Sequence, residues 1–141
     1  MSARKNLSVG IIGAGPGGLA LGIFLHKAGF RDFTIFDRED GVGGTWRINT
    51  YPGLACDVKS HLYSYSFELN ADWSRLWSGA AEILEYFERC ARRHRLEPHL
   101  KLNTEITSAR WDGDAGCSAA AAATSIGSTS WCRPSDCSPG P

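Results

Sequence analysis

Three closely spaced glycines and one acid farther along are the residues whose types and spacing specify a chemistry. Gly13, Gly15 and Gly18 close the run Leu7-Ser8-Val9-Gly10-Ile11-Ile12-Gly13-Ala14-Gly15-Pro16-Gly17-Gly18. The chemistry is the holding of a diphosphate. Gly13 permits a sharp turn, Gly15 lets the backbone approach a pyrophosphate, and Gly18 lets the following helix pack closely on the strand. The free N–H groups and dipole of that helix then favour an anion. Asp37 ends the next apolar run, Phe33-Thr34-Ile35-Phe36, at close to the ~20-residue separation of a ribose-binding carboxylate. A glycine-rich turn by itself joins strands to helices in many proteins. The turn and the acid together point to a bound dinucleotide.

The elements that must position these residues follow from the apolar pattern. Residues 7–12 read as a buried strand, and Pro16 to Ala28 as a helix with Leu19, Leu21, Ile23, Phe24 and Leu25 on a wide apolar face. Gly29 is a natural stop for it. Phe33 to Phe36 reads as the second strand. The adjacent glycines of Val42-Gly43-Gly44-Thr45-Trp46 mark a second place where backbone comes close to a ligand or another strand. Residues 47–79 are loop-like, broken by Asn49, Pro52, Gly53 and Gly79. They interleave Tyr51, Tyr63, Tyr65, Phe67, Trp73 and Trp77, which either pack the loop onto the domain or line a pocket for a planar cofactor. Ala80 to His94 is expected as a helix with Ile83, Leu84, Phe87, Cys90 and Ala91 inward and its acids ahead of its bases. Leu100 to Asn103 and Ile106 to Trp111 read as short strands.

The bulk composition removes several function classes. With 141 residues the chain has the length of one domain, and its 15 Lys and Arg balance 15 Asp and Glu. No charge excess points to nucleic acid or to an anionic membrane. No run approaches the ~20 apolar residues of a membrane span, and the first apolar run is too short for a signal-peptide core. The five cysteines, Cys56, Cys90, Cys117, Cys132 and Cys137, form no CxxC pair, so reduced thiols and a cytoplasmic location are expected. His26, His61, His94 and His99 are scattered, and no Ser/His/Asp triad or metal-ligand cluster is legible. After Gly116 the composition shifts to Ser, Ala, Cys, Thr, Pro and Gly. Residues 113–141 are therefore expected to be a low-complexity, disordered tail.

The series Gly13-Ala14-Gly15-Pro16-Gly17-Gly18, Asp37, Gly43-Gly44-Thr45-Trp46, Tyr51-Pro52-Gly53-Leu54-Ala55-Cys56-Asp57 and Ser60-His61-Leu62-Tyr63-Ser64-Tyr65-Ser66-Phe67 closely resembles the N-terminal part of Baeyer–Villiger monooxygenases and their flavin-containing monooxygenase relatives. The likeness runs from about residue 6 to 112. It implies an α/β, Rossmann-like FAD-binding domain with a parallel sheet, incomplete at its C-terminal side. It also implies an FAD- and NADPH-dependent oxygenation in which a C4a-peroxyflavin inserts one oxygen beside a ketone carbonyl or oxygenates a soft heteroatom. Carried over, Asp37 binds the ribose hydroxyls of FAD, Gly44, Thr45 and Trp46 lie along the cofactor, Asp57 and Tyr63 stand near its reactive end, and Ile106 contacts adenine through its backbone. Asp57 would support the flavin side of catalysis. Read from residue type alone, Trp46 and Tyr63 serve equally as core aromatics and Asp57 as a cap.

The resemblance stops just after Ala109-Arg110-Trp111-Asp112, before the NADPH-binding unit of the family. Read two bases out of frame from Ser128, the last residues can encode DVLVSAVGLL, which looks like the family's next strand. The expectation is a truncated chain whose native continuation a frameshift replaced after about Gly116. Serine- and cysteine-rich peptides from GC-rich genes also yield apolar residues in that frame, so the DNA sequence decides. Two rivals remain: another FAD-dependent oxidoreductase on the same fold, or a non-catalytic remnant that at most binds FAD.

Overall fold

The computed structural model describes residues 7–111, 117–121 and 124–132. Strand β1 (Val9–Ile12) leads through the glycine turn into helix α1 (Pro16–Lys27), which returns to β2 (Phe33–Phe36). A short helix α2 (Thr45–Ile48), the aromatic loop and helix α3 (Ala80–Arg93) follow, and then strands β3 (Leu100–Lys101), β4 (Ile106–Trp111), β5 (Cys117–Ala121) and β6 (Thr124–Cys132). The sheet order is β3-β2-β1-β6-β5-β4. Val9 to Ile12 pair with Phe33 to Phe36 in parallel, as expected of a β-α-β unit whose helix crosses over one face.

The expected parallel sheet is present, and it continues into an antiparallel extension. The sheet is parallel only from β3 to β6, and β4, β5 and β6 are antiparallel neighbours. The connections explain this, because β4 to β5 and β5 to β6 are joined by short links, too short for the crossover a parallel pair requires. Within the expected tail, residues 117–121 and 124–132 are strands β5 and β6. Ser130, Trp131 and Cys132 of β6 pair with Val9, Gly10 and Ile11 of β1. Composition undervalued this segment because ladder bonds belong to the backbone, and an edge like that of β1 offers a row of them to whatever strand arrives. Ser and Thr alternate freely in such a strand, although a parallel strand covered on both faces is usually rich in Val, Ile and Leu. Residues 112–116 and 133–141 of the expected tail lie outside the described residues.

The core sits between the sheet and the two longer helices. Ile11, Leu19, Ile23, Ile35, Ile83 and Leu96 are fully buried, and each such side chain contributes about 1.5–3 kcal/mol relative to exposure. Helix α3 turns Ile83, Tyr86, Phe87, Cys90 and Ala91 inward. Tyr86 was not expected there. It is buried because its hydroxyl is satisfied twice, accepting the Tyr65 N–H at 2.8 Å and donating to the Glu68 carbonyl at 2.7 Å.

The aromatic loop is mostly packing. Tyr65 and Phe67 stack at 4.9 Å, Tyr65 meets Phe87 edge-on at 5.5 Å, and Trp73 lies 5.4 Å from Tyr86. The Tyr65 hydroxyl donates to the carbonyl of Pro16 at 2.5 Å, which ties the loop to the first residue of α1. Burial pushes the phenols of both Tyr65 and Tyr86 well above the ordinary tyrosine value. The folded state thus favours the neutral phenols, a contribution fully present below the unfolded value of about 10 and lost as pH rises above it. In an alkaline titration the phenolate absorbance of these two tyrosines should appear together with loss of helical circular dichroism. Full phenolate absorbance with the helical signal intact would contradict that burial.

Candidate functional site

The carboxyl ends of β1 and β2 open into a cleft of about 430 Å³ lined by Gly13, Gly15, Asp37, Arg38, Gly44, Thr104, Glu105 and Ile106, among others. Ligands bind at this end of open α/β sheets, where the chain leaves β1 and β2 in loops. Gly13 adopts φ +101°, a conformation that a side chain would strain. At Gly18 a Cβ would stand 1.8 Å from the Gly13 carbonyl oxygen, so the helix lies directly on the turn. The second glycine pair reaches the same spot. Gly44, with φ +56°, would place a Cβ 2.8 Å from the Gly15 Cα, and the Gly43 N–H donates to the Ala14 carbonyl at 3.0 Å. Two bare backbone turns therefore touch and form the cleft floor. Gly15, just before α1, brings no side-chain cap, which leaves N–H groups of the helix's first turn for an external acceptor.

Asp37 stands beside this floor, half-buried. One carboxylate oxygen accepts the Ala14 N–H at 2.6 Å and the other accepts the Glu39 N–H at 2.9 Å. These are charge-assisted bonds to the turn itself. Each oxygen keeps a further lone pair, so the carboxylate can still accept from hydroxyls. The backbone of Asp37 is fixed from β3, its N–H on the Lys101 carbonyl at 3.1 Å and its carbonyl under the Thr104 N–H at 2.8 Å. Thr104 and Glu105 thus reach the cleft. The sequence reading missed them. The one available signal was Asn103, which takes a left-handed φ of +51° as asparagine does more readily than most residues.

The remaining expected residues separate into three groups. Ile106 opens β4 at the cleft wall. Trp46 and Tyr63 hold each other: the indole N–H donates to the Tyr63 hydroxyl at 3.0 Å, with the rings edge-to-face at 5.5 Å. Trp46 is buried in the core, whereas Tyr63 lines a second cavity of about 260 Å³ with Pro16, Tyr65 and Phe87. Gly15 and Pro16, adjacent in the chain, line one cavity each, so the start of α1 stands between the two. Thr45 is exposed, its hydroxyl accepting from the Asn49 amide at 2.8 Å. Asp57 is exposed and lines neither cavity.

Comparison with known proteins agrees with this geometry. Residues 11–80 match the model of an NAD(P)-binding Rossmann-like domain. A Baeyer-Villiger monooxygenase of Pseudomonas aeruginosa is 49% identical over 111 residues, which are 79% of this chain and 21% of that protein. One from Streptomyces coelicolor is 45% identical over 109 residues, 77% of this chain and 21% of that protein. The open crystal structure of cyclohexanone monooxygenase superposes with a TM-score of 0.78 at 36% identity, over 83% of this chain and 24% of that one. In sequence and fold the chain is similar to the N-terminal portion of Baeyer–Villiger monooxygenases. It corresponds to the N-terminal dinucleotide-binding portion and spans about a fifth of the length of these relatives. An oxidized steroid monooxygenase bound to NADP superposes as well, with a TM-score of 0.76 at 35% identity over 82% of this chain and 23% of that one.

The matched stretch from residue 11 to 80 takes in both glycine turns, Asp37 and the whole aromatic loop. The part that the family model describes thus supplies the cleft floor and Asp37, while Thr104, Glu105 and Ile106 close the cleft from beyond it. Among the described residues no group of three His, Cys, Asp or Glu could hold a metal ion, and no helix is long and apolar enough to cross a membrane.

Proposed function

We propose that this chain holds FAD, as the N-terminal portion of an FAD- and NADPH-dependent monooxygenase that inserts one oxygen of O₂ into a small ketone or onto a soft heteroatom. The observation that carries the reading is the cleft itself. Its floor is bare backbone at Gly15 and Gly44, an uncapped helix start faces it, and a carboxylate with spare lone pairs stands at its side. Those features suit an adenosine diphosphate: the diphosphate on the N–H groups of α1, the ribose hydroxyls on Asp37, and adenine against the backbone at Ile106. Because Asp37 is anionic, it accepts from the 2′-hydroxyl and repels a 2′-phosphate, which favours FAD over NADPH at this cleft.

Toward the flavin end, Tyr63 lines the second cavity beyond Pro16, with Trp46 buried behind it. The Trp46–Tyr63 bond fixes the phenol in place. Bound flavin, once reduced by a nicotinamide, supplies the oxygen activation. The protein's residues bind, orient and exclude water. Buried free thiols at Cys56 and Cys90 support a cytoplasmic location.

Titrating the purified full chain with FAD, read by flavin fluorescence, tests the reading, followed by NADPH oxidation in the same sample. Saturable quenching by the chain is expected. Absence of binding with FAD in excess overturns the assignment. Binding without NADPH oxidation limits this polypeptide to the cofactor-holding part of the activity.

A further inference from the structure

We propose that Arg47 is a positioning residue that sets the gap between the two glycine turns, and with it the seat of the diphosphate and the flavin half of the cofactor. The inference rests on the FAD reading above and adds to it a residue that never touches the nucleotide.

Arg47 sits on α2, one turn past Gly43 and Gly44, and its side chain is only 23% exposed. Its guanidinium binds three partners. Nε donates to the Val42 carbonyl at 2.8 Å, Nη1 to the Asp40 carboxylate at 3.1 Å, and Nη2 to the Glu88 carboxylate of α3 at 2.7 Å. Two partners lie just before the second glycine turn, and the third belongs to a helix anchored in the core by Ile83, Phe87 and Cys90. The planar fork of arginine satisfies all three directions at once, which the single ammonium of lysine cannot.

The neighbouring glycines are shaped around this fork. A Cβ on Gly41 would stand 2.3 Å from the guanidinium carbon, so the chain passes Arg47 with no room for a side chain. Gly43 is closed in by Leu84, whose Cδ1 lies 2.3 Å from where its Cβ would be. The same turn then donates its Gly43 N–H to Ala14 and brings Gly44 against Gly15. Glu88, Arg47 and the glycine turn thus form one continuous connection from the rigid helix to the cleft floor. Without the fork, residues 40–44 keep the Ala14 bond, the start of α2 and the core packing of Val42 to hold them. The solvent-screened Asp40 contact contributes least, because that carboxylate is 76% exposed. The Glu88 pair and the Val42 carbonyl carry the connection.

The test compares the wild-type full chain with Arg47→Met and Arg47→Lys by amide hydrogen exchange, and by titration with FAD and with ADP. In Arg47→Met the Gly43 amide should exchange about 10- to 100-fold faster, the range expected when bonds to a charged group are lost, while the amides of Ile11 and Ile35 stay at wild-type rates. FAD affinity should fall by a similar factor. ADP affinity should fall less, since the adenosine side is held by Asp37 and β3. Arg47→Lys should recover little of either. Unchanged Gly43 exchange in Arg47→Met overturns the proposal, as does a uniform rise across the core, which would mark general unfolding. A wild-type chain that binds neither FAD nor ADP overturns the nucleotide reading instead, and the exchange rates then still decide whether Arg47 fixes the turn.

Discussion

Replacing Gly18 with alanine should cost this chain about 3 kcal/mol or more of stability, the upper end of what overpacking produces. The added methyl would overlap the Gly13 carbonyl oxygen at 1.8 Å, and both atoms belong to backbone that has nowhere to move. Helix α1 would have to lift from the turn, which also pulls its first N–H groups away from the cleft. Gly22 gives the internal control on the same helix. A methyl there meets the Cδ1 of Ile35 at 2.7 Å, the far end of a side chain that can change rotamer. Alanine also gains about 1 kcal/mol of helix propensity over glycine. Gly22→Ala should therefore stay within about 1 kcal/mol of wild type. Urea unfolding of the two variants checks the contrast. Equal midpoints for Gly18→Ala and Gly22→Ala would mean that the helix does not rest on the turn as described.

Asp37→Ala should weaken FAD binding about 100-fold. The carboxylate organises the turn through the Ala14 and Glu39 amides, and in the proposed complex it accepts the ribose hydroxyls. Hydrogen bonds to a charged group are worth about 1.5–3 kcal/mol each, so the loss of even one accounts for that factor. Asp37→Asn keeps the shape and one acceptor oxygen, and it should fall between the two. ADP should lose affinity in step with FAD, because both carry the ribose. That pattern differs from the one expected for Arg47, where FAD suffers more than ADP. Undiminished ADP binding by Asp37→Ala would sink the ribose role and leave Asp37 as a residue of the turn alone.

The two sets of variants divide the cleft into halves with different origins. The adenosine half is local: the first glycine turn and Asp37 come from one β-α-β unit, paired in register from Val9–Phe33 to Ile12–Phe36. The other half is assembled from distant segments, with Gly44 brought by the second glycine turn and Arg47 tying that turn to α3, while the aromatic loop delivers Tyr63 to the neighbouring cavity.

What the sequence alone determined follows this division. Glycine spacing, a closing acid and the apolar periods of α1, β2 and α3 are properties of short stretches, and they suffice to specify a strand, a turn, a helix and the carboxylate that faces them. The aromatic motif likewise carried the resemblance. Only the tertiary structure decided the rest. It showed Trp46 bonded to Tyr63, Asp57 out on the surface, Thr104 and Glu105 at the cleft, and Arg47 as a three-way connection. It also placed the Ser- and Thr-rich β6 beside β1, where composition had suggested no strand. The physical reason is the same in each case. Periodicity reports which face of one segment turns inward, whereas a hydrogen bond between residues tens of positions apart, or a ladder made by backbone alone, depends on where the folded chain brings its partners.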